Sequence, residues 1–260
     1  YAHETACHKD ILRFRHGVPC PNEYRRTPDI CRGCALESHR SAIVTGNYNA
    51  WTQEYEATCA WSLSFYERFL EAMQELHGVI VTNRQMCDQV AGLCNRIFVI
   101  PPGVDVNRFS PTTQKAWNEK PILFAPGRME DPAKGMQVLL DAAAKLTDSG
   151  RSFELQVTLP EGYNGPSWLK PIGKIDHADM PQVYQAADLC IVPSIWEEPF
   201  GIVALEAMAS ELPVCASRTG GLQDIVLHEE TGMLFTPGNA ESLAETLALM
   251  IDNRDDLDRM

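Results

Sequence analysis

Residues 193–209 read Pro193-Ser-Ile-Trp-Glu197-Glu198-Pro-Phe-Gly-Ile-Val-Ala-Leu-Glu206-Ala-Met-Ala209, a nearly unbroken apolar run carrying isolated carboxylates. The preceding Leu189-Cys-Ile-Val192 is apolar on both faces and reads as a buried strand. Residues 193–198 are then the loop at its carboxyl end, and a helix follows with Pro199 in its first turn, where proline is tolerated. At about 100° per residue from Ile202, Glu206 falls on the stripe of Ile202, Leu205 and Ala209, a covered face. A carboxylate buried there needs donors. They come either from a neighbouring amide or arginine of the protein, or from a ligand's hydroxyls.

The same alternation continues outward. Strands are expected at Ile122–Ala125, Phe153–Thr158, Leu189–Val192 and Pro213–Ala216, with helices around Gly135–Leu146, Met180–Ala187 and Ala240–Ile251. Strands apolar on both faces, separated by helices, form a parallel doubly wound sheet whose ligands sit at the strands' carboxyl ends. Upstream, an amphipathic helix is expected from about Gln53 to Leu76. Strand Gly78–Thr82, helix Gln85–Gly92 and strand Arg96–Ile100 follow it, then Pro101-Pro102-Gly103 as punctuation. The polar stretch Ser110–Lys120 reads as a linker. The expected domains are therefore 1–110, with a linker at 111–119, and 120–260.

The composition excludes several classes of function. With 22 Lys+Arg against 35 Asp+Glu, the net charge of -13 repels nucleic acid and acidic headgroups, so a nucleic-acid partner is not expected. No apolar run reaches the roughly 18 residues of a membrane span, and Tyr1-Ala-His-Glu-Thr lacks the pattern of a signal peptide; the expected compartment is cytoplasmic. Nine cysteines, scattered through regular elements, fit free thiols or a metal site better than a disulfide framework.

Two features point to an anion. The helix start places the amides of Phe200, Gly201, Ile202 and Val203 at a positive helix end, and Gly201 allows close approach. Gly127-Arg128-Met-Glu-Asp-Pro-Ala-Lys134-Gly135 leaves the strand Ile122–Ala125 with two cations ahead of the next helix. Alone, either cation reads as a solvated surface group. Together they suit a diphosphate, each close pair adding about 4 kcal/mol of raw Coulomb attraction at an effective dielectric near 20, before desolvation.

At this point the order of motifs resembles a family. The Glu198-to-Glu206 spacing, the Gly-Arg…Lys-Gly loop, Ile172-Gly-Lys-Ile175 before a helix ending Ala186-Ala-Asp188, Leu212-Pro-Val-Cys-Ala216, and Gly220-Gly221 followed by Asp224-Ile-Val226 resemble retaining glycosyltransferases of family 4. The resemblance covers about Val79 to Asn253. Ile100-Pro-Pro-Gly-Val-Asp105 also resembles the family's end-of-first-domain segment, with Pro102 where an Asn is usual. It implies an α/β GT-B fold with two Rossmann-like domains on parallel sheets, the N-terminal one incomplete.

The resemblance further implies that Arg128 and Lys134 grip the diphosphate of a nucleotide-sugar and stabilise the leaving group. It implies that Glu198 bonds hydroxyls of the donor sugar and Glu206 those of the ribose. Gly127, Phe200, Gly201, Ile202 and Val203 would approach phosphate or sugar through the backbone, and Gly173, Lys174 and Ile175 would flank the base. Catalysis would rest on pre-placed charge that holds the departing phosphate most strongly as it leaves, with no divalent metal required. Ala2-His3-Glu4 resembles the family's short histidine motif, which implies that His3 faces the donor sugar.

Cys7, Cys20, Cys31 and Cys34 resemble a cysteine-rich insertion (7–34) found in some members. A structural zinc, free thiols and disulfides all stand as readings of that segment. If His3 is matched, the first strands of the acceptor domain and a C-terminal crossing helix are missing. The leading expectation is thus a hexosyl transferase working with retention. The alternatives are a non-catalytic nucleotide-sugar-binding protein or inactive fragment, and a metal-stapled interaction module on residues 1–40. A GT-B epimerase suits the paired glutamates less well.

Overall fold

The computed structural model describes residues 27–46, 65–111 and 117–254. The chain divides into two compact units, Tyr1–Pro101 and Pro102–Met260. The division precedes the polar 111–119 segment, because Val104 and Phe109 of residues 102–110 are packed into the core of the second unit.

In the first unit, α1 is Pro28–Thr45, closed by Gly46 in the left-handed region, and α2 is Phe65–Glu75. The Gln53–Leu76 helix survives as α2 within the described residues; 53–64 lie outside them. Strand β1 (Val79–Val81), helix α3 (Arg84–Val90) and strand β2 (Ile97–Val99) follow, the strands pairing in parallel with Val79 opposite Ile97. The Asn83 side chain accepts from the Met86 amide at 2.9 Å and starts α3. A small core of Met73, Val81, Met86, Val90 and Leu93 holds these elements together.

The second unit is the doubly wound sheet that the alternation predicts. Its elements are β3 (Ile122–Ala125), a 3-10 turn over Pro132–Lys134, α4 (Met136–Asp148), β4 (Glu154–Val157), β5 (Leu169–Pro171), α5 (Met180–Ala186), β6 (Leu189–Val192) and α6 (Ile202–Ala209). They continue with β7 (Val214–Ser217), α7 (Leu222–Ile225), β8 (Met233–Phe235) and α8 (Ala240–Asp252). The six strands are parallel in the order β5-β4-β3-β6-β7-β8. The order reverses direction between β3 and β6, which is the topological switch point where such sheets open a crevice.

Period-two alternation divides the core between the two faces of the sheet. Leu123 and Ala125 of β3 pack on one side with Leu139, Ala142 and Leu146 of α4 and Leu243, Leu247 and Met250 of α8. Phe124 packs on the other with Phe109, Tyr184 and Ala204. Lys145 of α4 pairs at the surface with Glu241 of α8, and Arg151, just after α4, with Asp252. Asp188, buried just ahead of β6, accepts from the Asn118 and Ile122 amides at 3.1 and 2.7 Å and so ties residues 118–122 to the sheet.

Two sequence expectations need correction. α6 begins at Ile202, so Pro199 and Phe200 lie ahead of the helix rather than in its first turn. The reason is Gly201, whose φ of +96° turns the chain into the helix as its N-cap, while Phe200 is buried against the core. Strands β5 and β8 and helix α7 were not anticipated, being only three or four residues long.

Candidate functional site

The loops leaving β3 and β6 meet at the switch point. The Ile195 amide donates to the Ala133 carbonyl at 2.9 Å, and Gly135 backs directly onto the Pro193 carbonyl. A Cβ on Gly135 would lie 1.9 Å from that oxygen, and the residue's φ is +78°, so only glycine allows this approach. The glycine in the Lys-Gly pair therefore joins the two loops.

Beside this junction is a cavity of about 800 Å³ at the carboxyl ends of the strands. Of the residues singled out from sequence, Gly127, Arg128, Lys174, Ile175, Ile202, Val203 and Glu206 line it. Arg128 is mostly exposed, with Asp131 at 3.8 Å as its nearest acid. The first turn of α6 presents Ile202 and Val203 to the cavity, and helix geometry aims their amides out of the helix end. Gly127 turns the chain at φ +109°, and its carbonyl accepts from the Thr158 hydroxyl.

Glu206 is 4% exposed, covered as expected, but the stripe of Ile202, Leu205 and Ala209 is not the buried face of the helix: Ile202 is 40% exposed, and Ala204 and Ala207 are the residues buried beside Glu206. His177 Nε2 lies 2.8 Å from Oε1, and the Tyr184 hydroxyl donates to Oε2 at 3.0 Å. Burial, with Cys190 and Glu206 adding to it, drives the Tyr184 phenol far above its ordinary range, so it stays a proton donor. An ionised carboxylate has about four acceptor positions, and these contacts leave room for further donors from the cavity. His177 itself is largely exposed, its ring lies 5.6 Å from the Phe109 ring at a 48° tilt, and its carbonyl accepts from Arg108.

Lys134 and Glu198 are brought to each other. Nζ lies 3.1 and 2.8 Å from the two carboxylate oxygens, and the ammonium sits 5.0 Å from the Trp196 ring centroid. Glu198 Oε2 also accepts from Ser194 Oγ at 2.9 Å and Trp196 Nε1 at 2.8 Å. Neither residue is among those lining the cavity, and Gly173, Phe200 and Gly201 are not either. Gly173 nevertheless forms the turn after β5 that delivers Lys174 and Ile175 to it, its amide donating to the Leu159 carbonyl at 3.0 Å.

Sequence reasoning missed Asp105, Arg108, Phe109, Thr158, His177 and Met180, which also line the cavity. His177 stands in a loop just before α5, where only the tertiary fold brings it to Glu206. His3, Cys7 and Cys20 lie outside the described residues. Cys31 and Cys34 fall one turn apart on α1, with Cys34 buried. Among the described residues no cluster of three or more metal-ligating side chains occurs.

Residues 162–260 match the family described as glycosyl transferases group 1. The D-inositol 3-phosphate glycosyltransferase of Nocardia farcinica is 34% identical over 204 residues, which is 68% of this chain and 44% of that protein. The chain thus spans less than half the length of that curated relative. Among solved structures, sucrose-phosphate synthase from Thermosynechococcus elongatus superposes with a TM-score of 0.63 at 29% identity, covering 73% of this chain and 53% of that one. Anabaena Alr3699/HepE in complex with UDP-glucose shares the fold at a TM-score of 0.60 and 18% identity, covering 88% and 70%. No described helix is long and apolar enough to cross a membrane. The chain therefore has the α/β architecture of the GT-B glycosyltransferases, and its residues 162–260 are a glycosyl transferases group 1 domain.

Proposed function

We propose that the protein transfers a hexosyl group, with retention, from a nucleotide-diphosphate sugar to a hydroxyl acceptor, and that residues 120–260 bind the donor. The observation that carries this reading is the composition of one cavity. Arg128 and the start of α6 offer positive charge and amides to phosphate, while Glu206 offers a carboxylate to hydroxyls.

In this reading the diphosphate lies between Arg128 and the first turn of α6, with Lys134 joining them. The ribose reaches Glu206, whose carboxylate is held by Tyr184 and His177 and keeps acceptor positions open. Lys174 and Ile175 flank the base, and Glu198 takes hydroxyls of the sugar. When the glycosidic bond breaks, negative charge grows on the phosphate oxygen, and cations fixed beforehand stabilise that state more than the ground state. The side-chain cations supply the charge that a divalent metal supplies elsewhere. The compartment that fits nucleotide-sugar chemistry and the acidic composition is the cytoplasm.

Transfer and hydrolysis assays with uridine, guanosine and adenosine diphosphate sugars, run beside binding calorimetry, test the proposal. Binding together with transfer supports an enzyme. Binding without turnover by the intact protein supports a nucleotide-sugar-binding protein instead.

A further inference from the structure

Strands β6 and β7 pair in parallel only as far as Val192 opposite Ala216. Beyond that point the two chains continue side by side, joined by side-chain hydroxyls and then by amides. Ser217 Oγ lies 3.0 Å from the Val192 carbonyl and 2.6 Å from the Ser194 carbonyl. Thr219 Oγ1 donates to the Trp196 carbonyl at 3.1 Å. The Gly221 amide donates to the Glu198 carbonyl at 2.6 Å, and the Gly220 amide to the Glu197 carboxylate at 2.9 Å. Carbonyls 192, 194, 196 and 198 are thus held in turn by residues 217, 219 and 221.

The residues anchored in this way are those that orient one carboxylate. Ser194 and Trp196 both donate to Glu198 Oε2, at 2.9 and 2.8 Å. Ser217 therefore fixes the main chain of one donor, Thr219 that of the other, and Gly221 that of the acceptor itself. Ser217 is 0% exposed and Thr219 5%, so neither hydroxyl is spent on solvent. Gly220 completes the brace by proximity: a Cβ there would lie 2.1 Å from the Glu198 carbonyl oxygen.

We propose that Ser217 and Thr219 are positioning residues for Glu198, holding its carboxylate toward the donor sugar through Ser194 and Trp196. The inference rests on the reading that the cavity takes a nucleotide-diphosphate sugar with Glu198 at its sugar hydroxyls. It assigns the 217–221 strand extension a role that differs from phosphate binding. Loss of the brace impairs recognition of the sugar and leaves the grip on the diphosphate in place.

The test uses Thr219→Val, which keeps the shape and removes the hydroxyl, Thr219→Ser, which restores it, and Ser217→Ala as an independent second site. Calorimetry is run with a nucleotide-diphosphate sugar and with the same nucleoside diphosphate lacking the sugar. A displaced carboxylate is expected to weaken binding of the sugar-bearing ligand by at least about tenfold in Thr219→Val and Ser217→Ala. The nucleoside diphosphate is expected to bind no more weakly than to the wild type, and Thr219→Ser to recover the sugar-bearing ligand. Equal weakening of both ligands, or no weakening of either, overturns the positioning role; if Thr219→Val does not fold, Ser217→Ala decides alone. A wild type that binds no nucleotide-diphosphate sugar overturns the donor reading and this inference with it, a result distinct from a wild type that binds and a variant that matches it.

Discussion

Lys134 Nζ lies 2.8 Å from Glu198 Oε2, and the two side chains are 18% and 12% exposed. The two loops at the switch point are therefore joined by charge as well as by the Ile195 to Ala133 hydrogen bond. Both residues were expected to face a ligand, and in the free protein each is the other's partner. On the proposed reading, donor binding exchanges one partner for another: Lys134 trades the Glu198 carboxylate for phosphate oxygens.

That exchange predicts a change of sign. Glu198→Gln removes the competing charge, so affinity for a nucleoside diphosphate without sugar is expected to rise about threefold to tenfold, while affinity for the sugar-bearing donor falls. Lys134→Ala is expected to weaken both. The free Glu198→Gln protein leaves a partly covered ammonium without its partner, so it should melt at lower temperature than the wild type. Saturation with the nucleoside diphosphate should recover most of that loss in a thermal-shift measurement.

Tyr184→Phe tests the setting of Glu206. The variant removes a donor 3.0 Å from Oε2 in a covered position and is expected to cost about 1–2 kcal/mol in urea unfolding. On the proposed reading it is also expected to weaken nucleoside diphosphate and nucleotide-sugar alike, because Glu206, the carboxylate assigned to the ribose hydroxyls, is disturbed in both complexes. A variant as stable as the wild type would mean that water replaces the phenol.

Gly135→Ala is expected to be severe. The left-handed φ alone costs about 1 kcal/mol or more, and the added Cβ meets the Pro193 carbonyl at 1.9 Å. The β3 and β6 loops must separate, so donor binding and thermal stability should fall together. Unchanged binding would contradict the role given to the junction.

Alkaline pH supplies a further test. Burial raises the thiols of Cys190 and Cys215 well above their ordinary range, with Cys215 adding to the effect at Cys190. Their folded pKa values exceed the unfolded ones, so the stabilisation is complete below about pH 8.5 and is lost as pH rises above it. Each thiol adds about 1.4 kcal/mol of lost stability per pH unit once the unfolded chain is deprotonated and the folded one is not. Urea unfolding under reducing conditions between pH 8 and 10 should show that slope, reduced in Cys215→Ala. An identical slope in that variant would contradict the burial argument.

The parts legible in the sequence were those set by local pattern. Four apolar residues at 189–192 and the glycines at 127, 135 and 201 each signal a strand or a turn without knowledge of the partner, whereas the stripe of Ile202, Leu205 and Ala209 does not give the buried face on which Glu206 lies. What stayed hidden depends on contacts far apart in the chain. His177 reaches Glu206 across 29 positions, Lys134 reaches Glu198 across 64, and residues 103–109 join the second unit because Val104 and Phe109 have hydrophobic partners there. Gly201 was recognised as a point of close approach, yet its positive φ shifted the helix start past Pro199 and Phe200, which proline placement alone does not reveal.

The central claim is that the cavity beside the β3 and β6 loops takes a nucleotide-diphosphate sugar through Arg128 and the start of α6. Calorimetric titration of the wild type and Arg128→Ala with uridine, guanosine and adenosine diphosphate sugars tests it most directly. One donor is predicted to bind the wild type at one-to-one stoichiometry with a dissociation constant of about 1 μM to 1 mM, and Arg128→Ala to bind it at least about tenfold more weakly with an unchanged melting temperature. No binding by any of the three, or equal binding by the variant, would contradict it.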